Sequence, residues 1–150
     1  MLSSAIEIRF ANAKDIPNAS EFVLIALNDL GMQNECVEIL GNEFTNRLET
    51  YGPQNTLLAF DNSNNNSIIG FIEIDPQKSV QNTSYFISNL YVLPSYRKRG
   101  IASMLVHKMS EDKCSNGAEL IVQVCNEDDR KFWEKLNFSV KNTILSLKLN

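Results

Sequence analysis

Apolar residues recur first at every second position and then at every third or fourth, and this change marks the first elements. Ala5–Phe10 alternates apolar with polar side chains, which is typical of a strand with one buried face. Helical spacing follows Asp15, which can cap a helix that ends near Gly31. The same spacing over Asn34–Thr50 predicts a second amphipathic helix.

The middle of the chain is rich in Leu, Ile and Phe and predicts three strands. Thr56–Asp61 and Ser67–Asp75 flank a polar run of Asn and Ser, so we predict a β-hairpin. Pro76–Thr83 is predicted to be a loop, because proline cannot donate a hydrogen bond inside a sheet. Ser84–Leu93 is predicted to be a further strand, which Pro94 ends.

Helices and strands alternate in the last third of the chain. Gly100–Asp112 has helical spacing, and the nearly continuous apolar run Ala118–Cys125 predicts a strand covered on both faces. A short helix over Asp128–Lys135 and two strands, Phe138–Val140 and Thr143–Leu149, complete the pattern. The predicted order is β-α-α-β-β-β-α-β-α-β-β, an α/β fold in a single domain over residues 1–150.

Charge and cysteine spacing narrow the class of protein. The formal net charge of −4 and the pI of about 5.0 argue against nucleic acid as the main partner, because nucleic-acid binders usually carry a basic face. The three cysteines lack C-x-x-C spacing and predict neither a disulfide framework nor a metal site. We expect reduced, mostly buried thiols, and we interpret the lone His107 as a surface residue.

Two segments bear on where the protein is located. The first residues lack a basic segment followed by a long apolar stretch, so we do not expect a signal peptide. The longest apolar run, Phe22–Leu27, is far shorter than the roughly 18 residues that a membrane span needs. We therefore expect a cytoplasmic protein that does not bind membranes.

One segment offers a place for a phosphate group. The Rossmann and P-loop glycine patterns are both missing from the sequence. Leu90–Ala102 instead runs from a strand through a basic turn into a helix, whose first N–H groups and positive dipole end suit a pyrophosphate. Gly100 would let the backbone approach an anion closely. On these grounds alone, the basic turn could equally be a solvated surface.

The same segment resembles the acetyl-CoA signature of the GNAT superfamily of N-acetyltransferases, which is [RQ]-x-x-G-x-[GA] after a V-x-P turn. The turn here is Val92–Pro94. The six signature residues are Arg97, Lys98, Arg99, Gly100, Ile101 and Ala102. The family's next strand is followed by Asn and a helix with an aromatic pair, which are Asn126, Phe132 and Trp133 here. The order of elements over Ile6–Leu149 also matches the family.

The resemblance implies that acetyl-CoA is the acetyl donor and indicates where it binds. It implies a single-domain mixed sheet flanked by helices, in which two strands, Ser84–Leu93 and Ala118–Cys125, splay apart around the cofactor. The pantetheine arm would pair with the backbone of Leu90–Val92, and the pyrophosphate would contact the amides of Lys98–Ser103. The residues implied to bind the cofactor are Leu90, Tyr91, Val92, Arg97, Lys98, Arg99, Gly100, Ile101, Ala102, Ser103, Asn126 and Trp133.

Acetyl transfer to an amine is helped by a base, an oxyanion donor and an acid. The N–H of Val92 is the candidate oxyanion donor. Many family members carry a tyrosine acid seven residues after the asparagine, but Trp133 stands there and its indole cannot supply a proton. We interpret Trp133 as a packing or cofactor-lining residue. Candidate replacement acids are Tyr91, Tyr85, which period two places on the same face of the strand, and Cys125.

The candidate base is Glu73. An amine with a pKa near ~10.4 must lose a proton before it attacks. Some relatives carry an acid pair just before the cofactor strand's L-Y-V, but Ser88 and Asn89 stand there in this chain. By topology, the nearest acids are Glu73 and Asp75 on the adjacent strand. A surface carboxylate is an equal interpretation of Glu73.

We therefore predict an acetyl-CoA-dependent N-acetyltransferase that moves an acetyl group directly to a primary amine of a small molecule or protein, with Glu73 and Tyr91 as catalytic candidates. The alternative is a CoA- or acyl-CoA-binding sensor without turnover. A nucleic-acid-binding protein that uses Arg97–Arg99 is disfavoured by the acidic balance. The acceptor pocket would form from the first two helices and the last two strands. Ile144–Leu149 could pair across a homodimer or complete its own sheet.

Overall fold

The computed structural model describes residues 5–80 and 83–141, and these ranges contain five strands and four α-helices. The strands are β1 (Ile6–Phe10), β2 (Thr56–Asp61), β3 (Ser67–Val80), β4 (Ser84–Val92) and β5 (Glu119–Ile121). The helices are α1 (Ile16–Asp29), α2 (Asn34–Tyr51), α3 (Ile101–Lys113) and α4 (Glu127–Lys135). The predicted order of elements is confirmed from β1 through α4.

One mixed sheet carries the strands in the order β1-β2-β3-β4-β5. Neighbouring strands from β1 to β4 run antiparallel, whereas β5 runs parallel to β4. A parallel neighbour needs a crossover connection, and α3 supplies it between β4 and β5. The predicted fold class, a mixed β-sheet flanked by helices, is therefore confirmed.

Different helices cover the two faces of the sheet, because successive strand side chains point to opposite sides. On the side that we call the α1–α2 face, Leu58 of β2 packs with Phe22 and Phe44. On the opposite side, the α3–α4 face, Leu57 packs with residues such as Leu105. Every residue of β2 is buried, which agrees with a strand covered on both sides.

β3 is longer than predicted and runs through Pro76 to Val80. Its pairing with β4 shifts register between Asp75 and Val80, so the proline lies in an irregular stretch where a ladder hydrogen bond is not required. There the hydroxyl oxygen of Ser79 accepts the Phe86 N–H at 2.8 Å. A side-chain oxygen thus takes the place of a strand carbonyl as the acceptor for β4. The predicted loop is wrong over Pro76–Val80, which belongs to β3.

The end of the chain differs from prediction in two further places. β5 covers Glu119–Ile121 rather than Ala118–Cys125, because the chain diverges from β4 after three paired residues. Phe138–Val140 is not a strand within the described residues. The predicted strand Thr143–Leu149, and with it the stretch proposed for dimer pairing, lies outside the described residues.

An ion pair, rather than the predicted cap, holds the start of α1. Asp15 makes no capping hydrogen bond with its side chain. Its carboxylate instead accepts from Arg9 at 2.7 Å and from the backbone N–H of Asn12 at 2.8 Å. The hydrogen bond from Arg9 is the main cause that lowers the pKa of Asp15. Gly31 has a φ of 78° just past α1, as expected for a residue that ends a helix.

The exposure of several side chains also bears on the predictions. Cys36 and Cys125 are exposed and Cys114 is half-buried, so the expectation of mostly buried thiols is wrong. Burial raises the pKa of the Cys114 thiol. His107 is exposed, as predicted, and its Nε2 lies 3.1 Å from a carboxylate oxygen of Glu111. Of the helices described, none is long and apolar enough to cross a membrane.

Replacing Leu105 by Ala tests how the sheet is anchored to α3. Leu105 is fully buried on the α3–α4 face, whereas the adjacent Met104 is 42% exposed. We expect Leu105→Ala to lower the free energy of unfolding by about 2–5 kcal/mol, because it removes buried methyl groups and leaves a cavity. Met104→Ala is the matched control and should change it by less than about 0.5 kcal/mol. Urea unfolding measures both, and equal losses would contradict this packing.

Candidate active site

A cleft opens where β4 and β5 part. Within the described residues the two strands pair only between Ser84–Phe86 and Glu119–Ile121. Beyond that point they border an open pocket of about 260 Å³. Its walls come from β4, the end of β3, the segment after β5, and α4. The lining residues are Lys78, Phe86, Ile87, Ser88, Asn89, Leu90, Val122, Gln123, Cys125 and Trp133.

The backbone of β4 presents polar groups to this cleft. The N–H of Leu93 donates to the carbonyl of Ile69 at 2.8 Å, and partners in an antiparallel ladder alternate between bonded and non-bonded pairs. Leu90 and Val92 therefore direct their N–H and C=O groups away from β3 and toward the cleft. Tyr91 directs its own toward β3. Of the three residues predicted to pair with a cofactor arm, two thus face the cleft with their backbone.

A bulge at Ser88 sets the direction of this half of β4. Asn89 pairs with Glu73, but the next pair joins Ile87 to Ile74, so Ser88 is an additional residue in β4. A bulge changes which face the following side chains occupy. Tyr85 consequently packs on the α3–α4 face and Tyr91 on the α1–α2 face. The prediction that the two tyrosines share a face is wrong, because period two holds only in an unbroken strand.

The turn after β4 leads directly into the first turn of α3. The hydroxyl of Tyr96 donates to a carboxylate oxygen of Asp61 at 2.6 Å and fastens the turn to β2. Gly100 precedes α3 with a φ of 79° and has no side chain to cap the helix. The first intrahelical bond runs from the N–H of Met104 to Gly100 at 3.0 Å. The N–H groups of residues 101–103 lie ahead of that bond and have no partner within the helix. Such a helix start, called the cradle below, is an arrangement that can hold an anion.

The side chain of Arg97 ties the turn to β4 and α1. Its Nε donates to the carbonyl of Val92 at 2.8 Å, and its Nη2 donates to Asp29 at 3.2 Å. The guanidinium also lies 5.4 Å from the centre of the Tyr91 ring. The charge of Arg97 is thus matched by a protein carboxylate, which leaves Lys98 and Arg99 as the remaining cations of the predicted signature.

Tyr91 lies on the α1–α2 face with its hydroxyl already bonded. The side chain is 6% exposed, and its ring centre lies 5.9 Å from that of Phe22. The hydroxyl donates to Asp29 at 2.8 Å. Burial, together with that bond to Asp29, raises the pKa of Tyr91 to about 12. The structure therefore places this candidate acid beside α1 and makes its proton hard to release near neutral pH.

Glu73, the candidate base, is 1% exposed and also fully engaged. One oxygen accepts from Arg47 Nε at 2.7 Å. The other accepts from Arg47 Nη2 at 3.0 Å, from the amide of Asn89 at 2.8 Å and from the hydroxyl of Ser88 at 3.1 Å. The hydrogen bond to Glu73 raises the pKa of Arg47. The interpretation of Glu73 as a surface carboxylate is therefore wrong.

The two remaining predicted contacts lie at α4. Asn126 precedes this helix, and its side-chain oxygen accepts the N–H of Asp129 at 2.8 Å, so it acts as the helix cap. Trp133 is 6% exposed, and its ring packs edge-on against Phe132 and Phe138, with centres 5.4 and 5.0 Å away. Trp133 also lines the cleft, which agrees with its interpretation as a packing and lining residue.

Sequence reasoning missed three residues that contact the site. Asp29 bonds to Tyr91 and Arg97, although it lies more than 60 positions away in the chain. Arg47 reaches Glu73 from α2. Lys78 lines the cleft from a segment that was predicted to be a loop. Nothing in the spacing of these residues signals their role, because each contact is made between distant elements.

Titration of the four tyrosines tests the placement of Tyr91. The folded-state pKa of about 12 lies above the ordinary value of about 10. The folded state is stabilised because it keeps the Tyr91 hydroxyl protonated to higher pH than the unfolded chain does. This stabilisation is therefore fully present below about pH 10 and is lost as the pH rises toward 12. We expect Tyr91→Phe to remove the tyrosine that ionises near pH 12 in an ultraviolet absorbance titration, and to flatten the loss of stability over this range. A Tyr91 that ionises near pH 10 would contradict the buried placement.

Sequence comparison identifies the family. A sequence model described as the Acetyltransferase (GNAT) family matches residues 28–138, which is well over half of the chain. The match includes β4, the turn after it, α3 and the start of the segment after α4. No curated protein sequence is similar enough to the chain to count as a match.

Solved structures share the fold. The aminoglycoside acetyltransferase AAC(6')-Iy, in complex with a bisubstrate analogue, is 17% identical with a TM-score of 0.66, covering 97% of this chain and 98% of its own. An aminoglycoside acetyltransferase from an uncultured soil metagenomic sample is 16% identical with a TM-score of 0.71. The match covers 100% of this chain and 99% of that protein. A GCN5-related N-acetyltransferase from Ralstonia eutropha JMP134 is 17% identical with a TM-score of 0.66. The match covers 95% of this chain and 98% of that protein. The chain belongs to the GNAT family of acetyltransferases, and it is an acyltransferase whose acetyl donor is acetyl-CoA.

Proposed function

We propose that this acyltransferase moves the acetyl group of acetyl-CoA directly to a primary amine of a small molecule or a protein. One observation carries the proposal. The open half of the β4 edge lines the cleft, and it is followed along the chain, after the turn of residues 93–100, by the uncapped start of α3. A strand edge suits an extended arm that contains amide groups, and a helix start suits a pyrophosphate. Acetyl-CoA has both parts in that order.

The residues present fit this donor. Leu90 would bind the arm through its N–H and C=O. The N–H groups of residues 101–103 would hold the pyrophosphate, and a carbon added at Gly100 would meet nothing within 4 Å, so the space before the cradle is open. Lys98 and Arg99 add positive charge beside it. When bound, the donor supplies a thioester carbonyl that an amine can attack.

The chain's own residues would act on the reaction through electrostatics. The N–H of Val92 faces the cleft and is the candidate donor to a carbonyl oxygen that gains negative charge. Tyr91 and Glu73 are bonded to Asp29 and Arg47, so neither presents a free proton or lone pair to the cleft. We therefore assign the removal of the amine proton to water rather than to these two side chains.

The charge of α1 and α2 supports a cationic acceptor. These helices flank the face opposite α3, and Arg47 is the one cation in either of them. The negative potential from the carboxylates of these two helices raises the local concentration of protonated amines. Two of the similar structures are aminoglycoside acetyltransferases, which also supports an acceptor that carries amines. The carboxylates of the two helices are Glu21, Asp29, Glu35, Glu38, Glu43 and Glu49.

One observation favours the alternative of a CoA-binding module without turnover. Trp133 stands where many family members have a tyrosine, and the other two candidate groups are engaged in bonds within the protein. A thiol with a pKa of about 8.5 is, however, a tolerable leaving group without an acid. The engaged side chains therefore do not exclude transfer.

A carboxylate placed in the cradle tests donor binding. Ser103 is exposed in the first turn of α3, so Ser103→Glu should preserve the fold, since acidic residues stabilise helix starts. We expect Ser103→Glu to weaken CoA binding about tenfold or more, because the new charge lies close to the phosphates. Ser103→Gln has nearly the same shape without the charge and should bind CoA within about threefold of the unmodified protein. Calorimetry measures both, and equal affinities would place the phosphates elsewhere.

A turnover assay separates the enzyme from the binding module. The protein is incubated with acetyl-CoA and, in separate reactions, a polyamine, an aminoglycoside and a lysine-containing peptide, and the free thiol of CoA is measured. We expect thiol release that depends on at least one amine and rises with pH, because the neutral amine fraction rises. CoA binding without release for any amine would favour the module. An absence of CoA binding would contradict both functions.

A further inference from the structure

The surroundings of Glu73 do not suit a base. A base must reach the proton that it removes at about 2.6–3.2 Å, directly or through one water. Glu73 is 1% exposed, and its two oxygens accept four hydrogen bonds from protein donors. A buried carboxylate remains charged only when it is paired and hydrogen-bonded in this way. Its contacts therefore hold neighbouring segments rather than a substrate.

These contacts meet where β4 changes register. Ser88 is the additional residue of the bulge, and Asn89 is the next residue and the ladder partner of Glu73. The same oxygen of Glu73 accepts from both side chains, at 3.1 and 2.8 Å. The Ser88 hydroxyl also lies 3.3 Å from the backbone carbonyl of Glu73. The residue that the ladder leaves unpaired is thus held by a side chain of the neighbouring strand.

Arg47 connects this bulge to α2. It binds both oxygens of Glu73 in a bidentate arrangement, which is the more rigid geometry for an arginine and a carboxylate. The Arg47 side chain is 22% exposed and that of Glu73 is 2% exposed, so solvent screens the pair little. One carboxylate consequently joins α2, β3 and the bulge of β4.

We propose that Glu73 is a positioning residue that, paired with Arg47, fixes the bulge of β4. It thereby holds the cleft-facing N–H groups of Leu90 and Val92 in the register that the acetyl donor needs. The proposal rests on the proposed function, because it assigns donor binding to this edge. It replaces the role of base that the sequence suggested for Glu73.

The experiment compares three variants. Glu73→Gln removes the charge and keeps the shape. Asn89→Ala keeps the buried ion pair and removes one bond to Glu73 together with a side chain that lines the cleft. Amide exchange is therefore its decisive readout if Glu73→Gln does not fold. Glu43→Gln is the control for CoA binding and amide exchange only, because Glu43 is an exposed carboxylate one turn before Arg47 on the same helix. Calorimetry gives the Kd for CoA, amide hydrogen exchange reports on residues 86–92, and kinetics give the pH dependence of kcat/KM.

We expect Glu73→Gln and Asn89→Ala each to weaken CoA binding about tenfold or more, since bonds to a charged group are among the stronger ones. Both should accelerate amide exchange over residues 86–92, and Glu43→Gln should do neither. The pH profile of kcat/KM should keep its ionisation limb in Glu73→Gln. If Glu73 only stabilised the fold away from β4, its replacement would lower the free energy of unfolding. It would change neither the amide exchange of residues 86–92 nor the Kd for CoA.

Two results would overturn the proposal. The first is a Glu73→Gln protein that binds CoA like Glu43→Gln but loses turnover together with the ionisation limb, which would make Glu73 the base. The second is unchanged exchange over residues 86–92 in both Glu73→Gln and Asn89→Ala. If the unmodified protein binds no CoA, the proposed function fails, and the exchange measurement still decides whether Glu73 fixes the bulge.

Discussion

Strand β4 is paired along its length with β3 but pairs with β5 over three residues, and the whole site depends on this asymmetry. Backbone N–H and C=O groups need partners, so an unpaired strand edge inside a cleft attracts a chain that can supply them. α3 begins a few residues after β4 ends, and its first N–H groups need an acceptor for the same reason. Among the described residues, part of the β4 edge and the start of α3 are thus two nearby sets of backbone groups without a strand or helix partner, and no special side chain is required to create either.

The side chains around β4 keep this arrangement from collapsing. Arg97 fastens the turn to α1 through Asp29, and Tyr96 fastens it to β2 through Asp61. Glu73 fastens the bulge. Each of these groups could be mistaken for a reacting group from its chemistry alone. Their hydrogen-bond partners lie within the protein, which supports a role in shaping the cleft, and the reaction would depend mainly on backbone donors that this shape presents.

The parts of the site that are local in sequence could be predicted, because local rules govern them. The turn, Gly100 and the start of α3 lie in one short segment, and glycine is the residue that adopts positive φ without strain. The strands and helices up to α4 follow from apolar spacing in the same way. The contacts of Asp29 and Arg47 could not be predicted, since no spacing encodes which distant strand a helix will face. The bulge at Ser88 was also hidden, because an alternating pattern looks unbroken until the packing faces are known.

The bond from Arg97 to the carbonyl of Val92 has a consequence for how any extended chain can lie along β4. With that carbonyl taken, the open edge offers two donors, from Leu90 and Val92, but one acceptor, from Leu90. An entering chain that carries amides would then pair with both the N–H and the C=O of Leu90 and would place a carbonyl opposite the N–H of Val92. A single arginine bond thus makes the two ends of this edge unlike, and a molecule docked there would meet a donor at one end and a donor and an acceptor at the other.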